Sequence, residues 1–182
     1  PMDGSSCVQC HSDFSATNAN DWISTDIPVS GYVPGTTYTI TATGTHAGVV
    51  KFGFELTAED GTNKAGTFAP KDSETQMNND NDGVTHTSTG TSPSGDNKTW
   101  TVDWTAPAAG TGDVTFYGAF NAADGNGGTS GDQIYFTSSM VTVSSVPMAK
   151  IRLASFPLME RFAASGFLMV TFLVMVISPL VK

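Results

Sequence analysis

A chain of 182 residues, 39% hydrophobic and only 14% charged, has room for one good-sized domain and little more. Its 19 glycines and 9 prolines, set among abundant Thr and Ser, make a strand-and-turn composition rather than a helical one. The net charge of −9 divides unevenly: up to Pro147 there are 16 acidic residues against 4 lysines, a net of −12, and from Met148 onward the balance is +3. An acidic head repels phosphates and argues against a nucleic-acid partner. The basic junction suits a membrane surface.

The chain opens with a polar leader, residues 1–30, whose first motif is Cys7-Val8-Gln9-Cys10-His11. These are the sequence's only cysteines, and C-x-x-C-H is the pattern of covalent c-type haem attachment. Thiols at i and i+3 can reach both vinyl groups along one porphyrin edge, and the adjacent His11 can then supply a proximal nitrogen to the iron. The competing readings are a redox dithiol, a short-loop disulfide, or half a zinc site. Zinc would want a second Cys/His pair at close spacing. A thioredoxin-like dithiol would want a helix start in a βαβ setting. One covalent haem c is therefore the preferred reading. Trp22 and Ile23 are the leader's apolar anchors, packing it against the body.

Residues 31–146 read as a run of short strands. Pro34-Gly35 punctuates a turn. Tyr38, Ile40 and Ala42 then alternate with threonines, the period of a half-buried strand. Val50, Phe52, Phe54 and Leu56 form the apolar face of the next strand, and a short strand is expected near 66–68. Asp80-Asn81-Asp82-Gly83 resembles part of a calcium loop, but the twelfth position is Thr91 where a Glu is required, so a solvated Asx-rich turn is preferred. Val84-Thr85-His86-Thr87 follows, with Val84 and His86 on one face. Trp100, Val102 and Trp104, then Val114, Phe116 and Phe120, mark two more strands. A glycine-rich loop and a last strand or pair over 133–145 complete the domain. Seven to eight strands with no helix among them predict an all-β fold, an antiparallel β-sandwich.

After a linker over 147–162, residues 163–181 run 19 positions without a charge, about the length needed to cross a hydrocarbon core of roughly 30 Å. The run is apolar all round and is bracketed by Arg161 and Lys182, which predicts a transmembrane helix contacting membrane lipid. Haem attachment occurs on the periplasmic side of the bacterial inner membrane, so the head is placed outside. Pro1 is not an initiator Met, which points to the mature product of a processed precursor.

The segments CVQCHS, GYVPGTTYTITATG, KFGFELTA, VTHTSTGTS and WTVDWTAPAAGTGDVTFYGAFNAADGNGGTSGDQIY resemble the bacterial Reeler-like extracellular domain of the choice-of-anchor type. The resemblance covers Cys7 to Val143. It implies a secreted or surface β-sandwich, here with a membrane helix as its anchor. It also implies that CxxCH is paired with a mid-chain THT, Thr85-His86-Thr87 in this sequence, and so a partnership between His11 and His86.

A six-coordinate haem needs a distal His or Met. His86 ranks first, Met77 second and His46, in a hairpin-turn context that usually leaves such a side chain solvated, third. An open sixth position and a strand histidine merely hydrogen-bonded to a threonine are the alternatives. The leading expectation is thus a membrane-anchored monohaem cytochrome passing single electrons on the periplasmic face. Its expected partners are a larger integral membrane redox complex and a soluble electron carrier. The alternative is a structural or adhesive surface domain tethered to the membrane, with Cys7 and Cys10 as a disulfide or dithiol. Neither G-x-S-x-G nor H-E-x-x-H occurs, and no enzymatic activity is expected.

Overall fold

The computed structural model describes residues 7–61 and 63–145. A 3-10 turn over Cys7–Gln9 leads into β1 (Thr17–Asn18) and β2 (Ile23–Thr25). The two long strands β3 (Thr37–Thr45) and β4 (Lys51–Asp60) follow. Four short ones come next: β5 (Asn63–Lys64), β6 (Thr67–Pro70), β7 (Thr75–Met77) and β8 (Gly83–His86). After a 3-10 turn over Ser88–Thr91, the long strands β9 (Asn97–Thr105), β10 (Val114–Ala123) and β11 (Gln133–Val141) complete the domain. They form a seven-stranded sheet in the order β1-β11-β10-β4-β8-β7, with β5 also on β4, and a four-stranded sheet in the order β2-β3-β9-β6. Every pairing is antiparallel except that of β1 with β11.

The predicted alternation sets the core. Tyr38, Ile40 and Ala42 of β3 and Trp100, Val102 and Trp104 of β9 turn inward from one sheet. Phe52, Phe54, Leu56, Val114, Phe116 and Phe120 meet them from β4 and β10 of the other. Fully burying side chains of this size stabilises by about 1.5–3 kcal/mol each. Val50, expected on that face, stands 52% exposed because β4 begins one residue after it. The rings pack mostly edge to face, as their quadrupoles favour: Trp104 lies 4.9 Å from Phe116 and 5.7 Å from Tyr32, while Phe54 stacks on Trp100 at 4.4 Å.

The leader supplies an edge strand to each sheet: β1 beside β11, and β2 beside β3. Trp22 and Ile23 anchor it as expected, the indole 5.1 Å from Phe120 and the isoleucine buried. Tyr32, just after the leader, ties the start of the sandwich to its end. Its N–H donates to Thr142 O at 2.9 Å, its carbonyl accepts from Ser144 N–H at 2.7 Å, and its hydroxyl donates to Gly112 O at 2.6 Å. Gly31 makes that approach feasible, since a Cβ there, at φ +99°, would lie 2.5 Å from Thr142 O.

The Asp80–Gly83 loop is the Asx turn expected in preference to a calcium site. Asn78 Oδ1 accepts from the N–H groups of Asp82 and Gly83, and its amide donates to Asp82 Oδ1 at 2.8 Å. The Asn78 amide holds the Asp82 carboxyl below the usual carboxylate range, with help from Lys64 at 3.4 Å. The carboxylate is therefore already taken by protein donors. No helix among the described residues is long and apolar enough to cross a membrane. The predicted linker 147–162 and span 163–181 lie outside the described residues.

Candidate functional site

On β4 the core-facing Phe52, Phe54 and Leu56 alternate with Gly53 and Glu55, which therefore project from the outer face of the seven-stranded sheet. Asn121 and Ala119 of β10 lie directly opposite Gly53 and Glu55 on that face. The leader turn packs against β10, and Ala119 and Ile134 are buried although they point away from the main core. Between the turn, this small-residue floor and the 124–131 glycine loop lies an open cleft of about 380 Å³. Cys7, His11, His86, Asn121 and Asp132 line it, as do Lys51 and Glu55. Three of the residues singled out in the sequence, Cys7, His11 and His86, are thus brought together. Cys10, Met77 and His46 do not line the cleft.

His11 is held at one ring nitrogen. Its backbone N–H closes the leader turn onto Cys7 O at 2.9 Å, and its ring Nδ1 lies 2.7 Å from Asp132 Oδ2. Asp132 is only 2% exposed, and such a carboxylate needs compensation. Besides His11 it accepts from the Asn121 amide at 3.1 Å and from the Asp124 N–H at 3.3 Å. This latch was not read from the sequence, because Asn121 and Asp132 sit in a polar stretch that looks like any loop.

His86 completes the backbone of β4. The β4–β8 ladder ends at Glu55 and Thr85, beyond which Phe54 has no strand partner on that side. The Thr85 hydroxyl donates to Phe54 O at 2.7 Å, and the Phe54 N–H donates to His86 Nδ1 at 3.0 Å. Phe54 O also lies 3.1 Å from that nitrogen, but it already accepts from Thr85, whereas the N–H has only the imidazole. Nδ1 is thereby assigned as acceptor, and the neutral ring carries its proton on Nε2. Thr87 continues the theme, its hydroxyl donating to Ser73 O at 2.6 Å. All three side chains of the Thr-His-Thr motif therefore satisfy backbone groups where a strand runs out.

The ring lies across Gly53, where a Cβ would meet His86 Cε1 at 2.7 Å. Gly53→Ala is expected to displace the imidazole, orphan the Phe54 N–H and lower stability by about 1–3 kcal/mol. A urea-unfolding midpoint equal to that of the parent protein would contradict this role.

The other candidates have structural places. His46 is not merely solvated: its Nδ1 is 2.7 Å from the Tyr135 hydroxyl, which joins the β3–β4 turn to β11. Met77 pairs with Val84 on the short edge strand β7. Cys10 is exposed, while burial, and next the Glu55 carboxylate, push the Cys7 thiol above its ordinary range. The thiolate is the reactive form, so alkylation of the reduced protein near neutral pH is expected at Cys10 first, as read by peptide mass mapping. Faster labelling of Cys7 would refute that order.

A two-sheet, largely antiparallel sandwich, with its leader woven into both sheets, defines an all-β sandwich domain. The Reeler domain model matches residues 5–125, and the chain belongs to that family. It resembles the human F-spondin reeler domain (fragment 1) at 23% identity and TM-score 0.54, covering 72% of this chain and 95% of that one. The Reelin-N domain of F-spondin matches at 25% identity and TM-score 0.54, over 75% and 96% of the two chains. A second human F-spondin reeler fragment matches at 26% and 0.50, over 69% and 95%. No curated protein matches the sequence.

These matches overturn the haem c expectation, and with it the cytochrome and electron-transport reading. The family is one of non-haem structural domains. The local structure gives the motif residues other duties. Only one of the two cysteines lines the cleft, and His86 has its Nε2 protonated by the strand-capping tautomer. Among the described residues no group of three or more His, Cys, Asp or Glu side chains could hold a metal ion. Calcium is likewise not supported, for the loop reasons given above. The soluble electron carrier was expected on account of the haem, whereas the larger integral membrane complex was expected from the single terminal helix, which lies outside the described residues.

Proposed function

We propose that this chain is a structural or adhesive domain displayed on the outer side of a bacterial membrane and tethered there through residues 163–181. The observation that carries the reading is the Reeler sandwich itself, matched over residues 5–125 and extracellular in its family. The acidic head and the charge-free run after Arg161 support the tether. Outside the cell, two cysteines at i and i+3 in a tight turn are placed to be oxidised to a local disulfide. That bridge would close the leader turn already formed by the Cys10 and His11 N–H groups on Cys7 O.

Truncation before Pro147, with export retained, tests the tether. The full chain is expected in the membrane fraction, with its head cut by protease added to intact cells, and the truncated head is expected to be free. A head that resists external protease, or that stays with the membrane after truncation, would refute the placement. Beads coated with the free head should cluster or bind the cell surface, and beads that do neither would remove the adhesive role.

A further inference from the structure

The described residues contain four lysines and no arginine. Three of the lysines are ion-paired: Lys64 with Glu59 and Asp82, Lys71 with Asp103, and Lys98 with Glu74. Among the described residues Lys51 has no carboxylate partner, and it lines the cleft beside His11 and His86. The buried carboxylate of the cleft is already engaged. Asp132 takes His11, Asn121 and the Asp124 N–H, and one oxygen of Glu55, Oε1, takes the Asn78 amide at 3.1 Å. The Asn121 carbonyl oxygen lacks a partner but is buried beyond the reach of solvent. Cys7 brings no charge to the cleft, whether as a thiol whose pKa burial raises or bridged to Cys10. The open donors are the Lys51 ammonium and the Nε2–H that the strand cap leaves on His86.

We propose that this cleft is a binding site for a small organic carboxylate, oriented by Lys51 and His86 over the floor made by Gly53 and Ala123. A carboxylate offers acceptors only, and so complements the open donors without competing for the internal ones. The volume of about 380 Å³ falls at the small end of ligand pockets, roughly 300–1,000 Å³, and suits a single-ring molecule rather than a polymer. Gly53 serves both ends of the site, admitting the His86 ring and leaving the floor open. The site is independent of the membrane tether and of any adhesive role.

The test is an NMR titration of the full domain with benzoate, using neutral benzamide as its isosteric control. Benzoate is expected to shift the ring resonances of His11 and His86 while leaving those of His46 in place, and benzamide to shift none. Lys51→Gln should weaken benzoate roughly tenfold or more, the loss of one charge-assisted hydrogen bond, and Lys51→Arg should restore it. An unchanged thermal midpoint in both variants keeps the comparison clean. Equal binding of benzamide, or benzoate affinity indifferent to Lys51→Gln, would overturn the proposal, as would no shift at either histidine.

Discussion

Trp104→Ala is expected to lower stability by about 3–5 kcal/mol, the largest loss from any single truncation in the domain. Trp104 is fully buried at the centre of the four-stranded sheet's inner face. Two contributions add. Its removal leaves a cavity between Tyr32 and Phe116, whose rings pack against the indole, and close neighbours on two sheets cannot collapse into it without breaking register. It also deprives Ala65 O of the indole N–H that donates to it at 3.0 Å. Phe should recover part of the volume but not the hydrogen bond, so Trp104→Phe is expected to fall between the two. Urea unfolding followed by circular dichroism reads the series, and a Trp104→Ala midpoint within error of the parent would refute the packing argument.

Lys64→Met is expected to be the next most damaging change, at about 3 kcal/mol, because it strands a carboxylate rather than because it removes an attraction. Glu59 is 1% exposed on the outer face of β4, and its Oε2 already has no hydrogen-bond partner among the described residues. The other oxygen depends on Lys64 at 3.1 Å and the Thr57 hydroxyl at 3.1 Å. The lysine head is itself about a third exposed, which places the loss at the lower end for a broken buried pair. Adding Glu59→Met removes the stranded charge, and the double variant is expected to regain most of the loss. The exposed Lys71–Asp103 pair, 2.8 Å apart, is the contrast: breaking it should cost no more than about 1 kcal/mol. A double variant less stable than Lys64→Met alone would refute the account.

The long strands could be read directly from the sequence because nine or ten residues hold enough alternations to reveal a period of two. Tyr38–Ala42, Phe52–Leu56, Trp100–Trp104 and Val114–Phe120 all face as that period requires. The strands that escaped notice, β1, β2, β5 and β7, are two or three residues long, too short to show a period at all. The site was legible only as residue types. CxxCH and THT were singled out for a haem that the family does not carry, and Cys7, His11 and His86 do share a cleft. Their local duties depend on partners that no pattern exposes. His86 serves a backbone N–H 32 positions earlier, and His11 serves a carboxylate in a loop more than a hundred residues later. A motif learned from haem proteins describes spacing, whereas here the same spacing forms a tight turn whose histidine latches a leader to a sheet.

The parallel contact between the leader and the last strand has a mechanical consequence. Thr17 and Asn18 run alongside Tyr135 and Phe136, and Tyr32 runs alongside Val143 in the same sense. Pulling the leader toward its start while holding the chain beyond residue 145 drags these neighbours past one another along their length. Their hydrogen bonds are then strained together instead of parting one after another, as they would in an antiparallel hairpin pulled open from its end. The Tyr32 hydroxyl on Gly112 O ties the same residue to the loop before β10 as well. A molecule stretched between those two points should resist until the seam shears as a unit, and only then let its long antiparallel strands peel.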